Sequence, residues 1–129
     1  MSAAARVLIV EDQHVEALDC QAELVRAGYT CVGIANTAAE ALMLARRERP
    51  DLVLMDIRLA SRTDGIETAR EIYDQFGIRA LFVTAHNGEK PRALETPYAV
   101  GWLSKPYSPQ ELVAAVGAAM DRLVAARDA

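Results

Sequence analysis

Five side chains carry most of the chemistry this sequence can offer: Glu11, Asp12, Asp56, Thr84 and Lys105. Each ends or closely follows a short apolar run: Val7 to Val10, Leu52 to Met55, Ala80 to Val83 and Val100 to Leu103. Taken singly, each has an ordinary reading. Asp12 could cap a helix, Glu11 and Lys105 could be solvated surface charges, and Thr84 could close a turn. Asp56 resists such a reading, because it interrupts LVLMDI at the mouth of an apolar run. Three carboxylates gathered in one place repel each other and resist ionising together. A hard divalent cation relieves that repulsion, and Mg²⁺ characteristically takes one or two carboxylates, waters and phosphate oxygens. Asp56 would then have the chemistry of a carboxylate nucleophile toward phosphorus. Thr84 and Lys105 suit neutralising and hydrogen-bonding phosphoryl oxygens.

That chemistry requires elements that bring four distant stretches to one edge. The runs Val7–Val10, Thr30–Ala35, Leu52–Met55, Ala80–Val83 and Val100–Leu103 are brief and mostly β-branched or aliphatic, and read as strands. Between them lie amphipathic stretches. His14 to Ala27 predicts a helix with Val15, Leu18, Ala22 and Val25 facing inward and Gly28 ending it. Thr37 caps a second helix running to about Glu48, with Ala38, Ala41, Leu42 and Ala45 inside and Pro50 beyond. A third runs from about Ile66 to Phe76, on a stripe of Ile66, Ala69, Ile72, Tyr73 and Phe76. A last helix opens at Pro109 and buries Leu112, Val116, Ala119, Met120 and Leu123. Strands alternating with helices predict an α/β fold, a doubly wound five-stranded parallel sheet with helices on both faces. Ligands of such sheets bind at the carboxyl ends of the strands, where the five residues fall.

Composition narrows the class. The chain has 129 residues, 52% hydrophobic and 25% charged, which is globular and fills one domain, residues 1–129 with a core of about 6–124. The net charge of −4 gives no footprint for nucleic acid or an anionic membrane. The first apolar run stops at Glu11-Asp12, too short for a signal segment or a span. The two cysteines, Cys20 and Cys31, have no ligand spacing and suit a reducing cytoplasm.

The segments VLIVED (7 to 12), LVLMDIRL (52 to 59), LFVTA (81 to 85) and GWLSKPYSPQEL (101 to 112) resemble the response-regulator receiver domains of two-component signalling. The resemblance spans about Arg6 to Val124. It implies a flavodoxin-like strand order 2-1-3-4-5 and a phosphorylation-dependent switch rather than a turnover enzyme. By it, Asp56 is the phosphoacceptor, forming 4-aspartylphosphate from a histidine kinase or histidine phosphotransfer protein. Glu11, Asp12, Asp56 and the backbone carbonyl of Arg58 would hold Mg²⁺, while Thr84 and Lys105 would contact the phosphoryl group. Thr84 and Trp102 would form the switch, and Lys105-Pro106 would be cis. No output domain fits within these residues, so a stand-alone monomer or weak dimer is expected, its downstream partner being another protein.

The sequence departs from the family's pattern in several places. Asp56 to Gly65 is one residue longer than the commonest spacing, Ala60 replaces a frequent proline, and Trp102 is bulkier than the usual Tyr or Phe. The fourth helix of the family is expected to be short or irregular here, because Gly88, Pro91 and Pro97 leave only about 91 to 96 for it. Arg58 and His86 take two positions that tune loss of the phosphoryl group in relatives, and His14 reads as an exposed helix-start residue. Two other readings compete. One is a receiver-like module that never takes a phosphoryl group. The other is an Mg²⁺-dependent aspartyl-phosphate phosphatase of the haloacid-dehalogenase type, which needs an acid two residues after its nucleophile where this chain has Arg58. No glycine-rich nucleotide motif follows any strand.

Overall fold

The computed structural model describes residues 4–57, 65–85 and 95–128. Its strands are β1 (Arg6–Val10), β2 (Thr30–Ala35), β3 (Leu52–Asp56), β4 (Ala80–Thr84) and β5 (Ala99–Ser104). Its helices are α1 (His14–Arg26), α2 (Ala38–Glu48), α3 (Gly65–Phe76) and α4 (Pro109–Asp128). All strand pairs are parallel, in the order β2-β1-β3-β4-β5. The expected fourth helix, about 91 to 96, lies outside the described residues up to 94, and the turn at Arg58 lies outside them on residues 58–64.

Central strands β3 and β4 are buried at every position, because helices cover both faces and neither side of the pleat meets water. Alternate residues feed two cores. Val7, Ile9, Leu54, Leu81, Val83 and Leu103 pack beneath α1 and α4. On the other face, Leu8, Val10, Val53, Met55 and Phe82 pack beneath α2 and α3.

Local chemistry fixes the helix ends. Thr37 Oγ1 accepts the Glu40 N–H at 3.2 Å. Ser108 and Glu111 form a reciprocal capping box at the start of α4, with Glu111 N donating to Ser108 Oγ at 3.0 Å and Ser108 N to Glu111 Oε1 at 3.1 Å. After α1, Gly28 takes φ +98°, its N–H reaches Val25 O at 3.0 Å, and Tyr29 N reaches Leu24 O at 3.0 Å. That is the paired hydrogen bonding of a glycine-terminated helix, and it holds Leu24 inward beside Tyr29 in the core.

The same helix corrects one expectation. Its buried residues are Ala17, Cys20 and Leu24, while Val15, Leu18 and Val25 are 69%, 44% and 56% exposed. Ala22 is exposed as well. Both sets obey helical spacing, so the pattern alone does not choose between them. The glycine turn at Gly28 chooses, by pinning Leu24 inward, and Cys20 and Ala17 follow one and two turns back. The bulkier set is left facing outward. The stripe expected for α4 faces its core, and so does that of α3 except for Tyr73, which is half-buried against Tyr98.

Candidate functional site

The strand order reverses beside β1 and β3, and their carboxyl ends deliver the acids. Glu11 and Asp12 follow β1, and Glu11 N donates to Ala35 O at 3.0 Å, extending the ladder past the strand. Asp56 is the last residue of β3, held as Ile57 N donates to Val83 O at 3.0 Å. Carboxylate oxygens of Glu11, Asp12 and Asp56 lie within 4.8 Å of one another. Lys105, just past β5, donates its backbone N–H to Thr84 O at 2.8 Å, tying the ends of β4 and β5 together. Its Nζ donates to Glu11 Oε1 at 2.7 Å, Glu16 Oε2 at 2.7 Å and Asp56 Oδ2 at 3.4 Å. The Lys105-Pro106 peptide is cis.

Glu11, Asp56 and Thr84 are buried, with 7%, 8% and 5% of their surface exposed. Burial, reinforced by the neighbouring Asp56 carboxyl, pushes the Glu11 carboxyl up to about 8, against the opposing pull of Lys105. Burial works against the Lys105 ammonium, but its bonds to Glu11 and Glu16 outweigh it and hold its pKa above the ordinary value. The bond from Lys105 draws the Glu16 carboxyl below the usual range. One ammonium therefore faces three carboxylates, with Asp12 close to two of them, and a proton on Glu11 relieves the excess charge. A hard divalent cation would relieve it too, since three converging carboxylates suit Mg²⁺ or a similar oxygen-seeking ion. Thr84 Oγ1 is buried with no hydrogen-bond partner among the described residues. Such orphaned hydroxyls are uncommon in native structures and point to a group that would complete them.

Residues 7–117 match the family described as the response regulator receiver domain. The chain belongs to that family. It is 30% identical over 118 residues to the phyllosphere-induced regulator PhyR of Methylorubrum extorquens, covering 91% of this chain and 44% of the relative. To the transcriptional regulatory protein PdtaR of Mycobacterium tuberculosis it is 36% identical over 119 residues, covering 91% of this chain and 57% of the relative. The crystal structure of the response regulator PhyR from Brucella abortus superposes with a TM-score of 0.85 at 32% identity, covering 96% of this chain and 51% of that one. The chain thus spans about half the length of these relatives. Receiver domains are signalling switches, not turnover enzymes, and typically bind Mg²⁺ at an acidic site. Their family implies a phosphodonor kinase as partner in general terms.

Within this receiver, Glu11, Asp12, Asp56 and Lys105 come together, and Thr84 ends the strand beside that of Asp56. Arg58 and His86 lie outside the described residues. His14 opens α1 exposed to solvent, and Trp102 sits on β5 opposite Phe82, 40% exposed. Two residues to which sequence reasoning gave no role in the site also belong to it. Glu16, in the first turn of α1, completes the Lys105 contacts; its only sequence signal was an acid one turn beyond Asp12. Gly65 opens α3 so close to β3 that an added Cβ would lie 2.1 Å from Asp56 O and 2.9 Å from Ile57 Cα. Its N–H donates to Ile57 O at 2.8 Å, so glycine alone allows the backbone to approach that closely. A groove of about 660 Å³ opens beside Lys105, bordered by Glu16, Cys20, Pro106 and Tyr107.

Proposed function

We propose that this receiver is a phosphorylation-dependent switch of a two-component or phosphorelay system, with Asp56 as its phosphoacceptor. The observation that carries the reading is a buried carboxylate at a strand end, facing a lysine ammonium and two further acids, with a buried hydroxyl at the end of the next strand that has no partner among the described residues. In the transfer, an Asp56 carboxylate oxygen forms a bond to phosphorus as the bond from phosphorus to the donor's imidazole nitrogen breaks. The electron pair of that bond stays on the imidazole. Glu11, Asp12 and Asp56 fit Mg²⁺ by their convergence, and the backbone carbonyl of Arg58 is a further proposed ligand. Mg²⁺ bound there would neutralise the clustered carboxylates and the phosphoryl oxygens. The Lys105 ammonium donates to a phosphoryl oxygen, which replaces its bonds to the acids. The Thr84 hydroxyl donates to another, gaining a partner it lacks among the described residues, and we assign Thr84 and Trp102 as the pair that carries this change to the surface.

The donor is a histidine kinase or histidine phosphotransfer protein. The exposed stripe of Val15, Leu18 and Val25 on α1, the helix that carries Glu16 to Lys105, supports a protein donor docking at this edge. A cytoplasmic location is supported by free cysteines at 20 and 31. Incubation with acetyl phosphate and Mg²⁺ tests the reading. Wild type should take up one hydroxylamine-labile phosphate per chain, and Asp56→Asn none. Equal labelling of the two would overturn the assignment.

A further inference from the structure

Three carboxylates share the Lys105 ammonium. Glu11 and Asp56 belong to the acidic cluster, whereas Glu16 stands apart from it on the first turn of α1, with its side chain 51% exposed. Its contact with Lys105 Nζ is 2.7 Å, equal to that of Glu11 and shorter than the 3.4 Å to Asp56. The ammonium therefore leans toward α1 and away from the residue whose new oxygens it would have to meet. We propose that Glu16 is a positioning residue that restrains Lys105 on the α1 side of the site and so sets how readily Asp56 accepts an anionic group. This rests on the reading of Asp56 as acceptor and adds to it a restraint built into the resting state.

Two consequences of opposite sign follow from removing the Glu16 charge. The ammonium becomes free to meet an anion at Asp56, and one negative charge leaves the anion's approach, so anion binding strengthens. The same ammonium is then less neutralised beside Glu11, Asp12 and Asp56, so cation binding weakens. A merely structural role would not split this way. An acid in the first turn of a helix stabilises it against the helix dipole, and losing that contribution would weaken both ligands together or neither. The bond is partly exposed, so each change should be a factor of about two to five.

The test uses the full chain as wild type, Glu16→Gln and Asp19→Asn, with far-UV circular dichroism checking that each is folded. Asp19 is exposed on the same helix, borders the same groove and serves as the control for general charge. Magnesium chloride alone, then beryllofluoride at saturating Mg²⁺, are titrated by isothermal calorimetry. Glu16→Gln should bind Mg²⁺ about two- to fivefold more weakly and beryllofluoride about two- to fivefold more tightly, while Asp19→Asn shows no such split. Both constants moving the same way in Glu16→Gln, neither moving, or Asp19→Asn reproducing the split would overturn the restraint. A wild-type chain that binds neither probe would overturn the acceptor reading and the restraint with it.

Discussion

Replacing Asp56 by Asn keeps the side chain's shape and removes one negative charge from a buried acidic cluster. In the metal-free protein Asp56 raises the Glu11 carboxyl second only to burial, through a hydrogen bond and, more weakly, through its charge. A carboxyl held at about 8 instead of 4.5 is disfavoured as the anion by at most about 5 kcal/mol. At pH 7, Glu11 is ionised in the unfolded chain and protonated in the folded one, so up to about 3 kcal/mol of stability is lost there. Burial supplies the larger part, and residual hydration of the site screens the rest, which leaves about 1–2 kcal/mol for Asp56. Asp56→Asn should therefore stabilise the metal-free protein by about that amount, although it removes the acceptor. The sign with pH follows from the raised value. Glu11 favours the fold fully below about 4.5, and that contribution disappears as the pH climbs through about 8. Wild type in EDTA should accordingly lose stability, relative to Asp56→Asn, between pH 5 and pH 8, and saturating Mg²⁺ should reverse the order of the two proteins. Urea unfolding followed by far-UV circular dichroism at pH 5, 6, 7 and 8 measures this. A variant less stable than wild type in EDTA at pH 8, or two parallel pH profiles, would refute the reasoning.

Leu24→Ala should cost about 2–5 kcal/mol, since Leu24 is fully buried. Leu18→Ala, on the exposed face, should cost less than about 1 kcal/mol, and urea midpoints in the reverse order would contradict the orientation of α1. Gly65→Ala must displace Asp56 O or the start of α3, so it should slow labelling by acetyl phosphate about ten- to a hundredfold while leaving a cooperative melt. Labelling at the wild-type rate would count against that close approach. Burial pushes the Cys20 thiol up to about 12, so at pH 8 only on the order of one in 10⁴ is thiolate. Iodoacetamide should modify Cys31 in the native protein and Cys20 only after unfolding, as read by peptide mass spectrometry; prompt modification of native Cys20 would contradict its burial.

The sheet was legible because its central strands β3 and β4 are apolar up to the single polar residue that ends each, which distinguishes strands covered on both faces from half-exposed ones. Once the strands were placed, their ends delivered Glu11, Asp12, Asp56, Thr84 and Lys105 to one edge without further assumption. The face of α1 was not legible, because HVEALDCQAELVR carries two stripes of helical spacing and the bulkier one faces outward. The deciding signal, Gly28 fixing Leu24 beside Tyr29, lies at the end of the helix and not in its periodicity. Glu16 was not legible because its role depends on a lysine 89 residues away, and an acid in a first helical turn has a sufficient local reason to be there. Gly65 was noticed only for the spacing of its loop. The need for a missing Cβ arises from the approach of α3 to the end of β3, which spacing does not encode.

The central claim is that the Asp56 carboxylate accepts a phosphoryl group. Its most direct test is to treat the protein with acetyl phosphate and Mg²⁺, reduce the product with borohydride, and locate the modified residue by peptide mass spectrometry. Reduction converts an aspartyl phosphate into homoserine. The account predicts homoserine at position 56 and at no other aspartate. Homoserine at Asp12 or elsewhere, or none at all despite phosphate uptake, would contradict it.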